Sequence, residues 1–401
     1  MKVYDYEIEP EYILEDSGVP NWRPTKLGEY IVGKKDGVRW FIKRNNEYRF
    51  PSQAEIPDAA MRDYYLAPAK KYQAERAELR RLMMDVGKLT IEKDHIVPEE
   101  VQFIDGERIV LASRFVEGIA RDADFTKVAA SEFIVFCREV AQLLAKLHAC
   151  GVVHGDLNVG QKDSVMEGNV VAAIQQGKLT PYLIDFDLSF PAPPAKNPER
   201  MPFTENYESP ELVPYIDGDE PHYTQITTAT DIFSLAIVYH NLWTGEFPAC
   251  EEESIGRCVA ANRTFTLNNK FNVLLGGNYS STFDSLLRWM LAKKPAERPT
   301  AEQVVAVLND EMTVPQIYRA DDATPVSISH GHSTKTVAEV DEPWQEHNIT
   351  FISAQEIAKK GYLQIKRTDI FERRYKLVTT SGVCFTHGWE WLVNEGLATL
   401  N

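Results

Sequence analysis

A chain of 401 residues with 44% apolar content can build a full core, which excludes a disordered protein and leaves room for two or three domains. Its net charge of −16 argues against a broad footprint on nucleic acid or on an anionic membrane surface. No apolar run approaches the ~20 residues that span a bilayer, and the acidic start MKVYDYEIEPEY does not read as a signal peptide. Five cysteines without a CxxC pair read as reduced, buried thiols of a cytoplasmic protein.

In chain order, Glu29–Lys35 and Val38–Arg44 alternate around Asp36-Gly37, a strong two-residue hairpin signal. The second strand, VRWFIKR, carries Lys43. The connector before it, Glu15–Gly28, contains glycines but no GxGxxG. Lys70–Val86 is rich in helix formers, with Tyr72, Leu79, Leu82 and Val86 near one face. Pro68 marks its expected start and Gly87 its end. Glu75 precedes Leu79 by four positions and Leu82 by seven, so it lies close to that stripe and is the expected inward partner of Lys43.

Val101–Ile104 and Arg108–Phe115 predict a second hairpin through Asp105-Gly106, ending a strand-rich region near Gly118. From Ser131 the pattern turns helical, and SEFIVFCREVAQLLAKLHACG ends at Gly151, an expected C-cap. The next stretch carries Asp156 and Asp185 beside short apolar runs, and two carboxylates so placed suit phosphoryl transfer. Further helices are expected over Thr230–Trp243, Phe283–Leu291 and Thr300–Leu308. Residues 313–342 lose periodicity and read as a linker. Residues 343–401 regain it as a small α/β domain, and its basic stretch IKRTDIFERRYK suggests docking of a protein partner rather than DNA.

At HGDL…LIDFD the sequence resembles the protein-kinase superfamily, in the manner of a divergent, bacterial or phage-like Ser/Thr kinase. His154-Gly155-Asp156 stands at the HRD position and Asp185-Phe186-Asp187 at DFG. Thr204, Tyr207 and Ser209-Pro210-Glu211 match T-x-x-Y-x-A-P-E, while Asp231 and Arg298 fall where a central helix opens and an arginine meets that glutamate. The resemblance implies an α+β, bilobal fold: a β-rich N-lobe over 1–118 and a helical C-lobe over 119–312, ahead of the linker and the small C-terminal domain. It implies ATP and Mg²⁺ as cofactors and a protein substrate. Carried over by position, Asp156 orients and deprotonates the substrate hydroxyl, and Asp185 binds the metal. Lys43 contacts the phosphates and pairs with Glu75, and Thr204 shapes the substrate groove. Ser113, Arg114 and Val116 line the adenine site, and Glu211–Arg298 is a structural ion pair. The second metal ligand is Asn169, if Lys162–Gly168 is an insertion, or else Gln161; both offer a hard amide oxygen.

The departures are as telling. Gly155 removes the arginine that would grip a phosphorylated loop. Asn158 stands in place of a lysine, the glycine-rich cover is missing, and Asp187 replaces the DFG glycine. A catalytically weak pseudokinase that senses nucleotide, and a small-molecule kinase, are therefore the alternatives to an active protein kinase.

Overall fold

Short strands β1 (Lys2–Val3), β2 (Tyr6–Ile8) and β3 (Arg23–Pro24) precede the long pair β4 (Gly28–Lys35) and β5 (Val38–Asn45). Asp36 and Gly37, at φ 54° and 79°, sit in the left-handed region that a tight two-residue hairpin requires, so this pair sets the register. The protein is described by a computed structural model over residues 1–25, 28–45, 58–105, 108–120, 123–160, 168–192, 203–216, 226–250, 252, 254–267, 274–275, 281–318, 327–330, 333–336, 345–346, 349–360, 362–369, 374–379 and 384–400. Contacts divide the chain into two units, Met1–Asp124 with Glu139–Phe203, and Phe125–Arg138 with Thr204–Asn401.

In the first unit, β7 (Glu99–Asp105) and β8 (Arg108–Arg114) complete an antiparallel sheet of order β1-β2-β4-β5-β8-β7, with β3 on β4. One face carries Ile31, Trp40, Ile42, Val110 and Ala112, buried under Tyr6, Ile8 and Tyr12 from the N-terminal segment. The segment from Tyr12 to Arg23, which holds most of the glycine-containing connector, folds back as its own small turn. Leu14 N donates to Val19 O and Asn21 N to Tyr12 O, and Arg23 lies 4.4 Å above the Tyr12 ring.

The opposite face carries Ile109 and Leu111, covered by Ala69 and Tyr72 of helix α1 (Ala59–Arg80). This helix begins about three turns earlier than expected. Asp58 caps it by accepting from Met61 N at 2.9 Å, and Pro68 lies inside it rather than at its start. Pro68 is exposed, so the missing amide faces water, which limits the usual cost of an interior proline. The helix widens into a π turn over Arg81–Val86 and stops at Gly87. After the single-turn helix α2 (Ile91–Asp94), the strand β6 (Ile96–Val97) runs parallel to β11 (Lys178–Ile184). β11 forms a hairpin with β10 (Val170–Gln175) through Gln176-Gly177, as its sequence suggests.

Helix α3 (Ala130–Ala149) opens in the second unit and closes in the first. The second unit is helical around α5 (Thr228–Thr244), with α4 (Val213–Ile216), α6 (Ile255–Ala260), α7 (Phe283–Met290) and α8 (Ala301–Leu308). Helix α5 starts at a Thr227/Thr230 capping box and ends at Gly245, φ 76°. Its Tyr239 hydroxyl donates to Cys137 O, and its Trp243 stacks on Phe133 at 4.6 Å. Beyond α8 lies a five-stranded sheet of Ser333–Thr336, Ser327–His330, Tyr362–Asp369, Arg374–Thr379 and Cys384–Gly388. Phe351, Ile357, Ile365, Leu392 and Leu397 are buried in the same C-terminal region. Two of these strands fall in the stretch read from sequence as a linker; one, Ser327–His330, pairs with both Ser333–Thr336 and Tyr362–Asp369. Its short alternating pattern was masked by polar composition. No helix among the described residues is long and apolar enough to cross a membrane.

Candidate active site

The two acidic motifs are zipped together by backbone. Strand β9 (Val152–Val153) pairs with β12 (Phe190–Pro191), which brings the segment after β9 alongside the segment before β12. Buried His154 fastens them: its Nε2 lies 3.1 Å from Ile184 O, its ring packs 4.7 Å from Phe186, and its carbonyl accepts from Ser189 Oγ at 2.9 Å. Gly155 has φ 82°, a conformation that a side chain would strain. The backbone therefore gives a local reason for glycine where the resembling family has arginine.

Asp156 is held by amides. Asn169 Nδ2 donates to its carboxylate Oδ2 at 2.9 Å and to its carbonyl at 2.7 Å, and Asn158 Nδ2 donates to that carbonyl at 3.1 Å. Asn169 also accepts, through its own carbonyl, from Ile184 N at 3.0 Å, which sets it beside the residue before Asp185. With the nitrogen committed to Asp156, the amide oxygen is the atom that could ligate a cation. Gln161, the alternative ligand, lies outside the described residues. Asn158 accepts from Gly160 N at 3.1 Å, so its side chain shapes the loop.

Lys43 is buried, and its ammonium does not meet Glu75, which is exposed on α1. The expected Lys43–Glu75 pair is replaced. Lys43 Nζ lies 2.7 Å from Asp187 Oδ2 and 3.2 Å from both Asp185 oxygens. The residue that turns inward from α1 is the neighbouring Arg76, on a stripe with Ala69, Tyr72, Leu79 and Met83. Its guanidinium donates to Phe186 O at 2.5 Å and to Ser189 O, while the Tyr72 hydroxyl donates to Asp187 O at 3.0 Å. From β7, Glu99 Oε1 accepts from Phe186 N at 3.1 Å. Backbone groups of Phe186, Asp187 and Ser189 are thus tied to α1, and Phe186 also to the sheet. Within this loop the strained residue is Asp185, φ 60°, and not Asp187.

The cluster sets three carboxylates, Asp185, Asp187 and Glu99, against two cations, Lys43 and Arg76. Burial would push the Lys43 ammonium down, but the charges of Asp185 and Asp187 outweigh it and hold it above the ordinary lysine value. Burial, and then the Asp187 charge, push Asp185 up; the same two causes raise Glu99 to about 7. Asp187 is lowered, because Lys43 overcomes its burial. The hard oxygen donors of Asp185 and the Asn169 amide fit a divalent cation such as Mg²⁺, whose charge would favour the ionised form of Asp185.

On the sheet face that bears Lys43, Ser113 lies opposite Phe41, and Phe41 stacks on Tyr30 at 4.8 Å with planes 25° apart. Ser113 therefore has an aromatic neighbour, Phe41, that was not foreseen from the sequence. Arg114 pairs with Glu100 at 2.9 Å, and Val116 is buried with Val97, Val171, Ala173 and Tyr182. Thr204 belongs to the second unit, where its carbonyl accepts from Tyr207 N at 2.9 Å. Also in that unit, Arg298 makes two 2.7 Å bonds to the Glu211 carboxylate, with both side chains at most 2% exposed.

These features define a kinase-like fold, with a curled antiparallel sheet and helices. Residues 86–307 match the model of the protein kinase domain, and the chain belongs to that family. The match begins after Lys43 and the inward stripe of α1. Among characterised proteins, the KEOPS complex subunit Bud32 of Pyrococcus abyssi is 30% identical over 86 residues, 21% of this chain and 34% of that protein. The serine/threonine-protein kinase PAK mbt of Drosophila melanogaster is 24% identical over 245 residues, 59% of this chain and 34% of that protein. This chain thus matches about a third of the length of each relative.

Proposed function

We propose that the protein transfers the γ-phosphoryl group of ATP, with Mg²⁺, to Ser or Thr of a protein substrate. The observation that carries this reading is the meeting of Lys43 with Asp185, joined through Ile184 and Asn169 to the carboxylate of Asp156. In this reading Asp156 orients the substrate hydroxyl and accepts its proton, and the amides of Asn169 and Asn158 hold it at the angle required. Lys43 contacts the α- and β-phosphates, and Ser113–Val116 receives the adenine. Asp185 and the Asn169 oxygen hold Mg²⁺, which when bound neutralises the charge on the phosphates. Thr204 shapes the groove for the substrate. Likeness to a serine/threonine-protein kinase and the T-x-x-Y-x-S-P-E segment support a hydroxyl of Ser or Thr. The reading includes a cytoplasmic setting, lobes over 1–118 and 119–312, and a C-terminal domain over 343–401 that docks a protein partner.

The test is incubation with Mg²⁺ and γ-labelled ATP, with a generic protein as acceptor. Label on Ser or Thr that disappears in Asp156→Asn is the expected result; full labelling by that variant overturns the assignment. A pseudokinase is favoured by one observation, the engagement of Lys43 by two carboxylates at once. It predicts a Mg²⁺-dependent rise in melting temperature with ATP and no turnover.

A further inference from the structure

Resting on that reading, we infer that Asp187 is the positioning residue for Lys43, and that Arg76 and Tyr72 hold it in place from α1. A lysine that must meet a phosphate needs a fixed counter-charge, because an ammonium on a flexible stem has no preferred direction of its own. In this chain the helix beside the sheet offers no carboxylate for that purpose. Glu75 is exposed, Glu78 is paired with Arg81 at 2.7 Å, and the inward position belongs to Arg76. The counter-charge comes instead from the loop itself. Asp187 is 3% exposed and 2.7 Å from Lys43 Nζ, closer than either oxygen of Asp185.

The inversion is coherent across the cluster. Moving the acid from the helix to the loop leaves the helix free to carry a cation, and Arg76 uses it on the carbonyls of Phe186 and Ser189. Tyr72 takes the carbonyl of Asp187 itself, and Glu99 the amide of Phe186. Lys43, Asp187 and α1 are therefore locked through the backbone of one short loop. Asp187 divides the labour with Asp185: the first fixes the lysine, and the second is left for the metal.

The experiment measures kcat and KM for ATP, and the Mg²⁺ concentration giving half-maximal transfer, in wild type, Asp187→Asn and Asp187→Gly. Asp187→Asn keeps the shape and removes the charge, so kcat/KM falls about 30- to 100-fold, the cost of a misplaced reacting partner. The Mg²⁺ midpoint stays where it was. Asp187→Gly lacks the same charge, and its kcat/KM falls at least as far. Activity of Asp187→Asn within about threefold of wild type overturns the inference. So does a Mg²⁺ midpoint displaced by about tenfold, which makes Asp187 a metal ligand, or an Asp187→Gly variant within about threefold of wild type. Any of these with an active wild type leaves the proposed function standing. A wild-type protein that neither binds nor consumes Mg²⁺-ATP overturns both.

Discussion

Two buried ionic clusters in this molecule obey opposite rules. Around Arg298, every direction is answered: two bonds reach Glu211, and others reach the carbonyls of Ala229, Ala292 and Lys293. Thr230 adds a hydroxyl to the same glutamate at 2.8 Å. Around Lys43 the charges do not balance, since Asp185, Asp187 and Glu99 outnumber Lys43 and Arg76. One is a closed pair that locks the segment after Tyr207 to the start of α5. The other crowds three carboxylates together, one of them on a strained Asp185, φ 60°, so that Asp185 and Glu99 hold their protons more tightly than usual. A balanced pair is what a scaffold requires, and an unbalanced one is what a site for a charged ligand requires.

Breaking the comparison at the catalytic side gives the largest expected effect. Asp185→Asn lowers phosphoryl transfer by about 1,000-fold or more. It also removes one of three crowded carboxylates, so the metal-free protein melts at a higher temperature than wild type while Mg²⁺-ATP no longer raises that temperature. Calorimetry on both proteins with and without ligand checks this. On the scaffold side, Arg298→Met leaves Glu211 buried without its partner and destabilises the fold by about 3–5 kcal/mol, read from urea unfolding. The expected contrast is therefore a variant that gains stability and loses chemistry against one that loses stability outright.

Titration sharpens the same contrast. Glu99 is raised to about 7 by burial and the charge of Asp187, above the value of the unfolded chain. The folded state then holds a proton that the unfolded state has released, so stability falls as pH rises from about 4.5 to about 7 and then levels off. Glu99→Gln flattens that part of the stability profile and leaves the protein more stable than wild type at pH 8. The smallest effect is at Gly155, φ 82°, where alanine costs about 1–2 kcal/mol of backbone strain; thermal melts of Gly155→Ala measure it.

What could be read from the sequence was local. Asp36-Gly37, Gln176-Gly177 and the end of α3 before Gly151 are set by residues next to one another, and the structure has them where turn and cap chemistry puts them. The order of HGD, DFD and SPE motifs gave the kinase-like fold, and the favoured Asn169 lies against Asp156. What escaped was the phase of a helix. Taking Pro68 as its start, and Leu82 and Val86 as part of its apolar stripe, turned Glu75 inward by one residue. In the structure Val86 is 58% exposed, and Tyr72, Arg76, Leu79 and Met83 share the buried side. The spacing of Tyr72, Arg76 and Leu79 held the signal, but an arginine on a core stripe runs against the usual burial of residue types. Asp187 was visible as a departure from DFG; its contact with Lys43 was not, because the two are 144 positions apart.

The account stands most directly on transfer of label from γ-labelled ATP in Mg²⁺ by the wild-type protein and by Asp185→Asn, side by side. It predicts phosphoprotein from the wild type and none above background from a variant that folds at least as stably. Equal labelling by the two proteins, or none by the wild type, would contradict it.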